Sequence, residues 1–130
     1  MGLRDSNKFK NKTVKSSFQH AFMGIKDVFQ TERNFKSHLF SAFLVVICGC
    51  FLKLNLLQWC LIIFSIAQVL VAEIFNTAIE RVVDLSSHNK LNPIAKQAKD
   101  IAAAGVLVSS IFSALIGLIV FGFAIIKYLK

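Results

Sequence analysis

At 130 residues the chain is one domain in length, but 55% of its residues are hydrophobic and its mean hydropathy is +0.63, which excludes an ordinary small soluble domain. A formal net charge of +8 would suggest nucleic acid in a soluble protein, yet here the charge is segregated and marks a membrane side instead. Residues 39–52, 56–72 and 101–126 carry no charge, against roughly 20 apolar residues needed to cross a bilayer, so three transmembrane helices are predicted. Eight of the fifteen Lys and Arg fall in residues 1–38 and four more between Arg81 and Lys99. The positive-inside rule then places the N-terminus and the loop after the second span in the cytoplasm and the C-terminus outside.

Residues 1–13 form a polar, basic tail without the apolar core of a signal peptide. From Val14 to Gln30, Val14, Phe18, Ala21, Phe22, Ile25, Val28 and Phe29 recur at steps of three and four, with Lys15 and Lys26 among the polar residues between them. This spacing predicts an amphipathic helix in the cytoplasmic interface, over residues 14–30. Thr31 is the expected N-cap of the first span, about residues 33–53, with Glu32 in its first turn. The link Lys53-Leu54-Asn55 permits only an antiparallel return into a second span, about 56–84, with Trp59 and Tyr128 expected as outer-interface anchors. Residues 85–98, with Asn89, Asn92 and the only proline, Pro93, read as a loop and a helix start before a third span of about 98–128. Cys48, Cys50 and Cys60 lie within or at the ends of apolar runs and read as small hydrophobes inside the membrane.

The second span holds the informative stretch. Glu73, Asn76, Glu80 and Asp84 share one helical stripe, because steps of three, four and seven return to nearly the same face. Glu73 lies about 21 Å from Trp59 along the helix, still within the inner leaflet, and Glu80 about 10 Å further on, at the water boundary with Glu32. An ionisable side chain at membrane depth costs at least about 2.5 kcal/mol, so Glu73 is a candidate functional group. Glu32 and Glu80 are hard oxygen ligands of the kind that hold Mg²⁺ together with substrate phosphates; Lys99 offers charge for phosphate, and Glu73 could accept the proton of a lipid hydroxyl. No glycine-rich phosphate loop or kinase signature is present. Taken singly, Glu32 is also a helix N-terminal carboxylate, Glu80 a solvated charge beside Arg81, Lys99-Asp100 a helix-end ion pair, and Asn76 interhelical glue. His20, His38 and His88 share no metal-ligand spacing and read as polar-surface residues.

Three blocks carry a resemblance: Thr31-Glu32-Arg33-Asn34-Phe35, the helix from Ala72-Glu73-Ile74-Phe75-Asn76 through Glu80-Arg81-Val82-Val83-Asp84-Leu85, and Ala98-Lys99-Asp100-Ile101-Ala102-Ala103. In these the sequence resembles the prokaryotic diacylglycerol kinase family of small integral-membrane lipid kinases, more closely its undecaprenol kinase branch. The resemblance implies an all-α bacterial inner-membrane protein, a single kinase domain over residues 14–130, and a homotrimer with shared active sites. It implies Mg²⁺ and ATP as cofactor and co-substrate, Glu73 as general base with Asn76 positioning beside it, and Glu32 and Glu80 as metal carboxylates. Lys99 and Asp100 match nucleotide contacts, joined with less support by Lys90, Leu91 and Asn92. Asn34, Phe35 and Ala103 fall where the lipid substrate lies. Thr13 stands near where a member of the family carries an arginine for nucleotide contact, and His20 stands at a position often held by tyrosine.

The function expected is therefore phosphorylation of a membrane lipid alcohol by ATP, undecaprenol before diacylglycerol. A small proton-coupled transporter and a membrane scaffold are the expectations from other classes; the transporter needs a pathway open to both sides, and the outer half carries charge only near its ends.

Overall fold

Asparagine caps, one proline and three apolar runs produce the helices that the computed structural model contains. It describes residues 13–88, 90 and 92–129, so the tail before Thr13, Asn89 and Leu91 lie outside the described residues. Four helices follow in order: α1 (Val14–Thr31), α2 (Arg33–Phe51), α3 (Leu56–Ser87) and α4 (Pro93–Tyr128). The chain divides into two compact units, Met1–Thr31 and Glu32–Lys130.

In the first unit, α1 starts on a reciprocal pair: Ser16 N donates to Thr13 Oγ1 at 3.2 Å and Thr13 N to Ser16 Oγ at 3.3 Å. Thr13 thus serves as a cap. Thr31 ends this helix instead of starting the next, its hydroxyl donating back to Asp27 O at 3.0 Å. The expected N-cap role passes to Glu32, whose backbone is extended (φ −96°, ψ 115°) and whose side chain makes no capping hydrogen bond.

The second unit is a bundle of three helices, each long and apolar enough to cross a membrane. The end of α2 closes on two backbone bonds, Leu54 N to Gly49 O and Lys53 N to Cys50 O, with Lys53 left-handed at φ 51°. This is a Schellman closure, and it turns the chain at once into α3. There Asn55 Oδ1 accepts from Gln58 N while Asn55 N donates to Gln58 Oε1, a complete capping box. At α4, Asn92 Oδ1 accepts from Ile94 N at 2.8 Å, with Pro93 in the first turn. Helix α3 runs past the expected loop start to Ser87, because the Ser86 and Ser87 hydroxyls bond back to the carbonyls of Val82 and Asp84.

Helix α3 packs along α4 more extensively than along α2. A core of Leu54, Ile62, Val120 and Ala124 fills one end of the bundle. Trp59, expected as an interface anchor, packs against this core, and its ring passes so close to Gly49 that a Cβ there would sit 2.8 Å from Trp59 Cη2. Tyr128 meets Phe51 with ring centroids 5.8 Å apart, so the C-terminal ends of α2 and α4 lie together and the three helices alternate in direction. Elsewhere the bundle is covered in exposed large apolar side chains, among them Phe43, Phe64, Leu107 and Phe123, which suits a hydrocarbon surround. The three cysteines are free and exposed on this surface.

Candidate functional site

Along α3 the inward stripe reads Ile62, Ser65, Val69, Glu73 and Asn76 at steps of three and four, with Thr77 beside Asn76, all buried. Apolar packing thus changes to polar packing within this one face. Ser65 and Thr77 satisfy their hydroxyls on the carbonyls of Leu61 and Glu73, at 2.8 and 3.0 Å. Glu73, at 2% exposure the most enclosed ionisable group described, has no such local outlet. Its hydrogen-bonding neighbour is the side chain of Asn34, from the first turn of α2. Burial is the main influence on its carboxyl group, ahead of the charged side chains of His38, Glu32 and Glu80.

One turn beyond, Asn76 Nδ2 donates to Glu80 Oε1 at 3.2 Å, while its buried Oδ1 has no partner among the described residues. Glu80 is thereby aimed by a side chain of its own stripe. Glu32 approaches the Arg81 guanidinium at 3.8 Å, a loose ion pair that ties the start of α2 to α3. Lys99 does not pair with its neighbour Asp100. Its Nζ reaches across to both oxygens of Asp84, at 2.9 and 3.1 Å, while Asp100 takes Lys96 at 2.6 Å on its own helix. Adjacent residues on a helix point about 100° apart, whereas i,i+4 neighbours share a face, so the expected Lys99–Asp100 pair gives way to these two. Asp84 is the acidic partner that sequence reasoning left without a role.

A cavity of about 720 Å³ lies between α2, α3 and α4. Its walls are largely apolar, with Val69 and Leu70 from α3, Gly117 and Phe121 from α4, and Ser41 from α2; His38 is its one ionisable lining residue. His38 was expected on the polar surface, and only the packing of α2 on α3 reveals its place. Of the residues matched to the lipid region, Asn34 adjoins Glu73, but Phe35 is buried at 3% exposure and Ala103 faces outward; neither lines the cavity. Of those matched weakly to nucleotide, Asn92 is committed to capping α4 and Lys90 is exposed, while Leu91 lies outside the described residues.

The donor set can be tested for a divalent cation. Among the described residues no three His, Cys, Asp or Glu side chains form a group able to hold one unaided. Two carboxylates near one buried acid fit Mg²⁺, which takes one or two protein oxygens and completes its octahedron with phosphate and water. They do not fit a structural cation cage. Glu73 and Asn34 do not line the cavity either, whose α3 wall ends at Leu70, one turn before Glu73; a buried carboxylate at that end, with further carboxylates toward the polar end, is suited to a reaction between an apolar alcohol and a water-soluble phosphate donor.

Comparison with known proteins agrees with this chemistry. The chain is 44% identical over 105 residues to an undecaprenol kinase from Bacillus subtilis, covering 81% of this chain and 85% of that one. It is 35% identical over 101 residues to a diacylglycerol kinase from Synechocystis, covering 78% of this chain and 58% of the relative. A diacylglycerol kinase of Escherichia coli is 29% identical over 92 residues, covering 71% and 75%. Residues 19–121 match the profile of the family described as prokaryotic diacylglycerol kinase, and the chain accordingly belongs to that family of lipid kinases.

Proposed function

We propose that the protein transfers the γ-phosphoryl group of Mg²⁺-ATP to undecaprenol at the cytoplasmic face of a bacterial inner membrane, giving undecaprenyl phosphate. The observation that carries this is the burial of Glu73 on the inward stripe of α3, one turn beyond Val69 and Leu70 of the apolar cavity wall and two turns before Glu80. An alcohol whose chain lies in the cavity is held at the depth of Glu73. Its hydroxyl proton passes to the Glu73 carboxylate as its oxygen bonds to the γ-phosphorus and the bond from that phosphorus to the ADP oxygen breaks. Asn34 orients the carboxylate through its hydrogen bond, and Asn76 aims Glu80 while offering its second amide atom, Oδ1, to a donor.

Glu32 and Glu80 would hold Mg²⁺, which when bound neutralises the charge of the terminal phosphates. Arg81 and Lys99 balance the carboxylates Glu32 and Asp84, and Lys99 is the cation placed to meet phosphate where α3 and α4 run side by side. Asp100 and Lys90 stand at the same polar end, where a nucleotide would approach. The apolar outer faces of α2 to α4 support a membrane setting, and the family supports a homotrimer with sites completed between protomers. Helix α1, with exposed Phe18, Phe22 and Met23, is suited to lie in the interface.

Undecaprenol is preferred because the similarity to the Bacillus subtilis undecaprenol kinase extends over most of both chains. Relatives named as diacylglycerol kinases make diacylglycerol the second candidate. The test is transfer of labelled γ-phosphate to each lipid in mixed micelles, with Glu73→Gln as the blank. Glu73-dependent product chiefly from undecaprenol is expected. Product chiefly from diacylglycerol overturns the choice of lipid, and none from either, with folded protein, overturns the reaction.

A further inference from the structure

The cavity between α2, α3 and α4 has a direction. At one end its wall residues Val45, Ile66 and Phe121 pack against the core of Leu54, Ile62, Val120 and Ala124, so that end is backed by solid protein. At the other end its walls stop at His38 on α2 and Leu70 on α3. One turn further stand Asn34 and Glu73. The α4 wall is set in the same register. Lys99 meets Asp84, and α4 runs antiparallel to α3, so equal steps from this pair bring Ser110 level with Glu73.

The dimensions decide what the cavity can hold. Its α4 wall runs from Ser110 to Ile125, about 22 Å, so a volume of about 720 Å³ leaves a mean cross-section of about 33 Å². A helix about 10–12 Å across would need about 80–110 Å². A hydrocarbon chain, with carbon contacts at about 4 Å, needs on the order of 15–20 Å². The space therefore takes a chain with its branches and not a helix of a second copy. What keeps it open on α4 is the small size of Ser113 and Gly117, both half-buried on the wall and four residues apart. A Cβ added to Gly117 would meet nothing within 4 Å. Glycine weakens a helix interior and here makes room for no neighbour in the fold, so its effect is the space it leaves.

Building on the lipid kinase reading above, we infer that Ser113 and Gly117 are specificity-determining residues, which hold open the channel along which a prenyl chain runs from its hydroxyl near Glu73 toward the bundle core. Ser113 lies about 4.5 Å along α4 from the level of Glu73, and Gly117 about 10 Å. An extended chain advances about 1.2 Å per main-chain bond. Geraniol, with two isoprene units, thus passes Ser113 and ends near Gly117, whereas undecaprenol passes both.

The test measures kcat/KM for undecaprenol and for geraniol, as substrate or as competitor of undecaprenol, in mixed micelles with wild type, Gly117→Leu and Ser113→Leu. Gly117→Leu should lose about tenfold or more with undecaprenol, the scale of a small misfit in an apolar pocket, while geraniol stays within about twofold. Ser113→Leu should weaken both. The KM for Mg²⁺-ATP should stay within about twofold in each. Unchanged undecaprenol kinetics in Gly117→Leu overturns the assignment, and so does an equal loss with both prenols, since position along the chain would then not matter. A loss accompanied by a change in the size of the assembly in detergent overturns it as well, because it marks an interface between copies. Geraniol that neither reacts nor competes in wild type overturns the channel as the path of the chain. Should Gly117→Leu not fold, Gly117→Ala carries the same comparison, with a smaller loss expected for undecaprenol alone and no loss overturning the assignment. Failure of the lipid kinase reading looks different, because wild type itself would then make no lipid phosphate.

Discussion

Glu73→Gln separates chemistry from packing at the one site where both meet. Glutamine has the shape of glutamate, and its carbonyl oxygen can keep the hydrogen bond from Asn34, so the buried stripe of α3 is undisturbed. What disappears is the ability to accept a proton. Positioned acid–base catalysis contributes about 10²- to 10⁴-fold, or about 2.7–5.5 kcal/mol of transition-state stabilisation, and the loss in kcat should fall in this range. The KM for Mg²⁺-ATP should stay within about twofold, because Glu32 and Glu80 are intact. Since glutamine brings no charge into a nearly closed site, the variant should melt no lower than wild type. Glu73→Asp is the companion variant. One methylene shorter, it withdraws the carboxylate by about 1.5 Å, enough to cost about 10²-fold while the base itself remains. Label transfer to lipid in micelles, with thermal melting of the same preparations, reads all of these. Turnover by Glu73→Gln above a tenth of wild type would refute the assignment of Glu73 as base.

Other variants probe the surroundings. Glu80→Gln should raise the KM for Mg²⁺-ATP by about 10- to 100-fold, the worth of a charge-assisted ligand, as read from a Mg²⁺-ATP titration; an unchanged KM removes Glu80 from the metal site. The Lys99 and Asp84 side chains are 35% and 47% exposed, so water screens their ion pair and a double-mutant cycle with Asp84→Asn and Lys99→Met should show little coupling in stability. In the same set, only the lysine change should strongly weaken ATP binding. Gly49→Ala drives a Cβ to 2.8 Å from Trp59 and 3.1 Å from Leu54, and overpacking of this kind costs about 1–3 kcal/mol. Its activity per folded molecule should be unchanged, because Gly49 lies about 25 Å along α2 from Glu32.

The stripe of Glu73, Asn76 and Glu80 was legible in the sequence because helical periodicity places these residues on one face whatever surrounds them. The spans were legible because uncharged runs of their length have few other uses. What escaped was set by partners distant in sequence. Lys99 and Asp84 are fifteen residues apart and meet only because α4 folds back along α3. His38 carries no motif, and nothing local distinguishes it from His20. Trp59 was read only as an interface anchor, and the signal that its ring also packs against α2 lay in Gly49, a residue without a side chain to read. Ser86 and Ser87 have the composition of a loop, but their hydroxyls return to the helix and extend it.

On the proposed site, helix lengths account for how a lipid and a nucleotide would reach each other. At about 1.5 Å per residue, the 19 residues of α2 span about 29 Å, close to the hydrocarbon core of roughly 30 Å, while the 32 of α3 span about 48 Å. The excess of α3 therefore projects from the core, and because the α2–α3 link is closed by a Schellman motif and a capping box, the projection can lie only at the opposite end. That end holds Glu80 and Asp84, with Lys96, Lys99 and Asp100 on the part of α4 alongside. Glu73 lies about 26 Å from the start of α3, just inside the apolar layer, and Glu80 about 36 Å from it, just outside. Seven residues thus carry the helix from the depth of a lipid hydroxyl to that of a hydrated phosphate. A single insertion between them would rotate Glu80 by about 100° off the stripe and separate the two halves of the site without shortening any span.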